Sequence, residues 1–237
     1  MTAQLETLRK KRTDYVDEVY EVLLDAISDG TLAPGARITQ EEIAEQLQVS
    51  RSPVLQALRL LKKDGLVQDA PGRGVLVAPL DSDWIGKLYE IRGALHSLAA
   101  RLAAQHHSDI DPELIRRGRE LAQGQDLKAM IDADMAFHQA VDKASGNPLI
   151  AQSAQQHWAH LRRVMGAVLQ SAGQRAAIWD EHAAIAQAIG RGDADLAQRL
   201  TEQHVQRAGQ HLCHCLDEVL SAQKAAATPR MPGLRRL

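Results

Sequence analysis

The chain has 237 residues, which suits one large domain or two small ones. Hydrophobic residues make up 45%, enough for a core, but aromatics only 3%, so Ala and Leu dominate and the composition leans to helix. A net charge of −2 excludes a globally basic nucleic-acid coat, so any DNA binding must come from a local patch. Residues 1–12 carry charges and no apolar run, unlike a signal peptide. No stretch approaches the roughly 18 apolar residues of a membrane span, so a cytoplasmic protein with no membrane partner is expected.

Val16, Val19, Leu23, Ala26 and Ile27 recur at helical spacing and predict an amphipathic helix over 14–29, ended by Gly30. Thr39 and Glu42 form a capping box for a short helix that turns Ile43, Ala44 and Leu47 inward. Ser52 reads as the cap of a third helix, with Pro53 at its first position and Val54, Ala57, Leu58 and Leu61 as its buried stripe. That leaves Arg51, Ser52, Leu55, Gln56 and Arg59 at its entry or open face, the pattern of a helix-turn-helix.

Leu66-Val67 and Val75-Leu76-Val77 read as two short strands around the turn Asp69-Ala70-Pro71-Gly72-Arg73-Gly74, whose basic tip can meet phosphate or a minor groove. Residues 1–80 hold 10 Lys/Arg against 12 Asp/Glu, which weighs mildly against DNA; residues 51–73 alone hold five basic and two acidic residues. The positive charge therefore sits where a recognition helix and wing would use it.

The run GTLAPGARITQEEIAEQLQVSRSPVLQALRLLKKDGLVQDAPGRGVLVAPL resembles the winged-helix domain of the GntR family of regulators. It matches at Pro34-Gly35, Ile43-Ala44 with Leu47, Val49-Ser50-Arg51, Pro53-Val54, Ala57-Leu58, Gly65-Leu66-Val67 and the wing glycine. The resemblance implies contacts to operator DNA. That family usually follows Pro-Val with Arg-Glu, the arginine contacting bases. Leu55-Gln56 stand there instead. Leucine can pack on a thymine methyl and glutamine can bond to adenine, so an altered operator sequence is expected.

Beyond residue 80, Trp84, Leu88, Ile91, Leu95, Leu98 and Leu102 predict a long helix over 82–106 with a heptad-like seam. Further helices are predicted over 111–123, 126–144, 148–171, 174–190 and 193–222, giving a mainly α chain whose C-terminal part is a six-helix antiparallel bundle. The expected division is a DNA-binding domain over 1–80, a helical effector, metal and dimerisation domain over 81–224, and a disordered tail over 225–237.

Asp134 and His138 lie four apart on one helix face, while His182 and His204 belong to other helices. One carboxylate and three imidazoles converging in a bundle would suit a divalent ion such as zinc or nickel. Spacing alone leaves open the alternative of a solvated face. Arg92 can pair with a ligand carboxylate or sit in a surface ion pair. Cys213 and Cys215, beside His211 and His214, read as reduced thiols in a helix, with a Cys/His metal site as the alternative.

The Arg-x-x-Leu at Arg92, Asp134-Met135-Ala136-Phe137-His138, Gly146-Asn147-Pro148, Glu181-His182 with Ile185, and Gly192-Asp193 with His204 resemble the FCD ligand-binding domain of the FadR subfamily, and the six-helix count its VanR-like branch. The resemblance implies a metal held by Asp134, His138, His182 and His204. It also implies a small carboxylate effector, with Arg92 as a second hold on it, and a homodimer on a palindromic operator. Many relatives carry glutamate where this chain has His96, whose reach to the pocket stays open. A regulator, not an enzyme, is the expectation; a metal-dependent hydrolase or isomerase is the alternative, disfavoured because no nucleophile motif, phosphate loop or His-Glu-x-x-His is present.

Overall fold

The computed structural model describes residues 10–168 and 175–227. Its first part comprises α1 (Lys10–Ser28), β1 (Arg37–Ile38), α2 (Gln40–Gln46), α3 (Arg51–Lys63), β2 (Val67–Asp69) and β3 (Val75–Val77). The apolar stripe of α1, Val19, Leu23 and Ile27, shares one buried cluster with Ile43 and Ala44 of α2 and with Val54, Ala57, Leu58 and Leu61 of α3. The Thr39–Glu42 capping box forms as expected. Gln48, at φ 53°, takes the left-handed conformation that turns α2 into α3.

One cap differs from expectation. Helix α3 begins at Arg51, with Ser50 as the residue before it, so Ser52 lies in the first turn and not at the cap. Proline did not fix the register, because none of the first-turn amides has an intrahelical acceptor and Pro53 is tolerated there too. The sheet has the order β1-β3-β2, all antiparallel, with Val67 opposite Val77 and Ile38 opposite Val75. Gly74 is required at the wing: its φ is +88°, and a Cβ there would lie 2.4 Å from the Ile38 carbonyl oxygen.

The second part is six helices among the described residues: α4 (Ser82–Gln105), α5 (Pro112–Ala122), α6 (Leu127–Ala144), α7 (Pro148–Val168), α8 (Arg175–Gly190) and α9 (Ala194–Ala227). Asp81, Asp111 and Asp126 each accept backbone amides at the starts of α4, α5 and α6. The expected end near 171 and start at 174 fall on residues outside the described ones. Residues 225–227 belong to α9, and the rest of the expected tail lies outside the described residues.

Two apolar clusters fill the bundle. One is built on Ala99, Ala103, Phe137, Trp179 and Ile185, the other on Ile85, Leu88, Leu161, Val205 and Leu216. Along α4, α6 and α9 the polar residues Arg92, His96, Asp134 and His204 fall between the positions that serve the two clusters. The bundle thus carries a polar layer between two apolar ones.

Only half of the heptad seam of α4 lies on its inner face: Leu88 is buried, and Leu95 and Leu102 pack against the core. Trp84, Ile91 and Leu98 are 42%, 52% and 44% exposed, while Tyr89, Arg92, His96 and Ala99 are buried. The helix turns inward the side that meets the polar layer, so Trp84, Ile91 and Leu98 mark an outer stripe.

The head rests on the bundle. The last turn of α1 reaches α7, where a Cβ on Gly166 would lie 2.8 Å from the Ser28 carbonyl oxygen. Arg162 pairs with Asp25 at 3.1 Å, and His160 Nε2 donates to the Asp64 carbonyl at 2.8 Å. Arg163 donates to the Ala78 carbonyl in the connecting segment.

Candidate functional site

On α3 the side chains of Arg51, Leu55, Gln56 and Arg59 are exposed and that of Ser52 is half-buried. This follows from the helix period, since Val54, Ala57, Leu58 and Leu61 occupy the opposite side. Arg73 is exposed at the wing tip, where its carbonyl accepts from Arg37 Nε at 2.9 Å. Arg37, on β1, therefore fixes the wing; its role was invisible in a two-residue strand without periodicity. Part of the local positive charge is internally paired: Lys62 with Asp69 at 2.6 Å and Arg51 with Glu41 at 3.4 Å. Both pairs are solvent-exposed, so they are weak and can be exchanged for phosphate.

The second constellation lies in the polar layer. His138 of α6, His182 of α8 and His204 of α9 are all buried, and one ring nitrogen from each falls within 4.8 Å of the others. His182 Nε2 and His204 Nε2 are 3.2 Å apart. Asp134 Oδ1, from the turn before His138, lies 3.5 Å from His182 Nε2 and 3.8 Å from His138 Nε2. The expected four residues therefore come together.

These spacings fit a small cation. Metal–nitrogen bonds of about 2.0–2.1 Å place tetrahedral donors about 3.3–3.4 Å apart. The buried His138 Nε2, which faces Asp134, has no hydrogen-bond partner, a costly state for a group that can ligate. Burial holds the His138 and His182 imidazoles well below their usual pKa, so they are neutral and have lone pairs to offer.

Residues around the cluster orient it. Glu181 Oε2 accepts from His204 Nδ1 at 2.7 Å, which leaves His204 Nε2 facing His182. Arg207 Nη2 holds the other Glu181 oxygen at 2.8 Å. On helical spacing Glu181 points away from His182, and only the packing of α8 against α9 reveals that it serves a different histidine. His96 is buried, its ring 4.9 Å from that of His138, with Nδ1 bonded to Asp142 at 2.7 Å.

Arg92 is 4% exposed, so it is not in a surface ion pair. Its Nη1 donates to Tyr89 Oη at 3.1 Å, Nη2 lies 3.7 Å from Asp134 Oδ2, and Nε and Nη2 have no hydrogen-bond partner. It faces a cavity that Asp134, His204, Trp179 and Ile131 also line. His211, Cys213, His214 and Cys215 form no comparable donor group: the thiols are free, and among the described residues only the histidine trio gathers three donors.

An exposed helix-turn-helix face with a wing, carried on a helical bundle around a buried polar chamber, defines a winged-helix transcriptional regulator. Residues 15–77 match the model for the bacterial regulatory proteins of the gntR family, and residues 87–207 match that for the FCD domain. A protein of Paenarthrobacter nicotinovorans named as a probable D-xylose utilization operon transcriptional repressor is 30% identical over 205 residues, covering 83% of this chain and 88% of that one. Among solved structures, a GntR transcriptional regulator from Rhodococcus has a TM-score of 0.70 at 25% identity, covering 84% of this chain and 97% of that one. Escherichia coli McbR has a TM-score of 0.68 at 21% identity, covering 90% and 96%. The chain belongs to the GntR family, with an FCD domain following its DNA-binding head. It is a DNA-binding transcriptional regulator and not an enzyme, which sets aside the hydrolase or isomerase alternative.

Proposed function

We propose that this regulator works in the cytoplasm as a homodimer on a palindromic operator, and that a small carboxylate effector bound beside a divalent metal ion controls its affinity. The observation that carries this reading is the convergence of the buried His138, His182 and His204 with the half-buried Asp134, next to an Arg92 with unsatisfied donors. These four residues would hold zinc or nickel, which suit imidazole and carboxylate donors. The bound ion would supply a positive anchor for the effector carboxylate. Arg92 would give the second hold, through the Nε and Nη2 donors now unmet. The exposed heptad-spaced Trp84, Ile91 and Leu98 on α4 support association of two copies. Two heads related by a two-fold axis then read two half-sites.

On DNA, Arg51, Ser52, Leu55, Gln56 and Arg59 face the major groove and Arg73 makes the wing contact. Two measurements test the halves separately. Metal analysis of purified protein finds about one ion per chain, and His138→Ala or His204→Ala loses it. Full occupancy in both variants rejects the metal site. Arg51→Ala and Arg73→Ala each weaken operator binding and lower the salt slope by about one unit per lost phosphate contact. Unchanged affinity in both rejects the DNA face.

A further inference from the structure

We propose that the effector of this chain is a small monocarboxylate with an apolar body, of the size range from butyrate to pentanoate, and not a dicarboxylate, tricarboxylate or sugar acid. This rests on the reading that the cavity beside the histidine cluster receives a carboxylate effector.

The cavity has one polar patch. Tyr89, Arg92, Asp134 and His204 form a continuous set: Arg92 bonds Tyr89 at 3.1 Å and lies 3.7 Å from Asp134, which reaches the same histidines as His204. Arg92 is the only arginine or lysine among the cavity's described lining residues. The remaining walls are Met130, Ile131, Met165, Ile178 and Leu212, with the ring of Trp179.

One carboxylate would thus be matched by the bound metal and by Arg92. A second, or a row of hydroxyls, would lie mostly against thioethers and alkyl groups, with only the Trp179 indole and the exposed His211 to meet it. Burying an ionised or hydroxyl group without a hydrogen bond is strongly unfavourable, whereas methylenes gain by burial there. Size narrows the class further. The cavity measures about 100 Å³. An apolar cavity of roughly 150 Å³ takes benzene. A three- or four-carbon chain fits, and an aromatic ring with its carboxylate is too large.

The test uses the full-length chain loaded with zinc and titrated calorimetrically at constant ionic strength. One series is acetate, propionate, butyrate, pentanoate, benzoate and octanoate; the other is succinate, citrate and gluconate. Affinity rises about fourfold per methylene from acetate to butyrate, the equivalent of burying each CH₂, and falls again at octanoate. Butyrate or pentanoate binds at least about tenfold more tightly than benzoate or any member of the second series. Arg92→Gln loses the monocarboxylate while keeping zinc. Equal or tighter binding of succinate, citrate or gluconate overturns the inference and leaves the metal-anchored carboxylate site standing. Failure of every carboxylate to bind zinc-loaded protein overturns that wider reading, and this inference with it.

Discussion

A histidine ligates well only when its other ring nitrogen is fixed, and His204 meets that condition through Glu181, which is itself steadied by Arg207. The hydrogen bond from His204 and the nearby Arg207 guanidinium hold the Glu181 carboxyl below its usual pKa, so it is an ionised acceptor. Glu181→Ala should weaken zinc binding by about 10- to 100-fold, measured by competition with a chelating dye. Glu181→Gln, which keeps an acceptor oxygen, should recover part of the loss; equal affinity in all three proteins would leave His204 oriented by packing alone. A second expectation concerns pH in the metal-free protein. His96, His138 and His182 are all lowered, chiefly by burial, although Asp142 opposes the shift at His96. Below the unfolded pKa of about 6.5 the unfolded chain takes up protons that the folded chain refuses, so folding loses stability as pH falls. With chelator present, the urea midpoint should be level above about pH 7 and drop steadily towards pH 5. A flat profile would mean that these histidines are solvated in the apo state.

Among the elements, close approach decides what a helix can hold. A Cβ on Gly118 in α5 would lie 2.1 Å from the ring of Trp179, and one on Gly209 in α9 would lie 2.8 Å from Tyr89. Both aromatic rings line the cavity beside the histidine cluster, so these glycines shape its wall. Gly118→Ala has to displace Trp179, and an overpacked site of this kind costs about 1–3 kcal/mol, measurable as a lowered urea midpoint at unchanged slope. Unchanged stability would show that α5 moves freely. Neither glycine stands out in the sequence, because a helical glycine advertises no partner. The start of α2 was legible for the opposite reason: the Thr39–Glu42 capping box is local chemistry that needs no tertiary context. The four clustered donors were also legible, through the Asp-x-x-x-His spacing and the resemblance to the FCD domain. The inward face of α4 was not, since it buries Arg92 and His96 while leaving Ile91 and Leu98 outside, the reverse of the usual pattern. Glu181 and Arg37 were hidden because both act on residues distant in the chain.

At the scale of the whole molecule, the question is how a ligand in the bundle reaches a head at the other end of α1. Helix α6 offers a route. Leu127 and Ile131 line the cavity beside the histidine cluster and also the crevice where α1 meets the bundle, together with Asp25, Ser28, Arg162 and Gly166. In that crevice Asp25 pairs with Arg162 at 3.1 Å and with Lys128 of α6 at 3.7 Å, while Arg162 also lies 3.6 Å from Asp132 of α6. An effector that shifts α6 therefore changes the ion pairs that seat α1. Such an effector acts only through unequal affinity for the two seatings. Arg162→Ala removes the residue shared by α1 and α6, while the exposed Lys128–Asp25 pair that remains is weak. The effector's influence on operator affinity, read by fluorescence anisotropy with and without effector, should shrink by about 0.5–2 kcal/mol. Because coupling is reciprocal, operator DNA should lose its influence on effector affinity by the same factor, while effector binding to the DNA-free variant stays as in the unaltered chain. Coupling preserved in both directions would place the communication elsewhere, in the segment that Arg163 holds at Ala78.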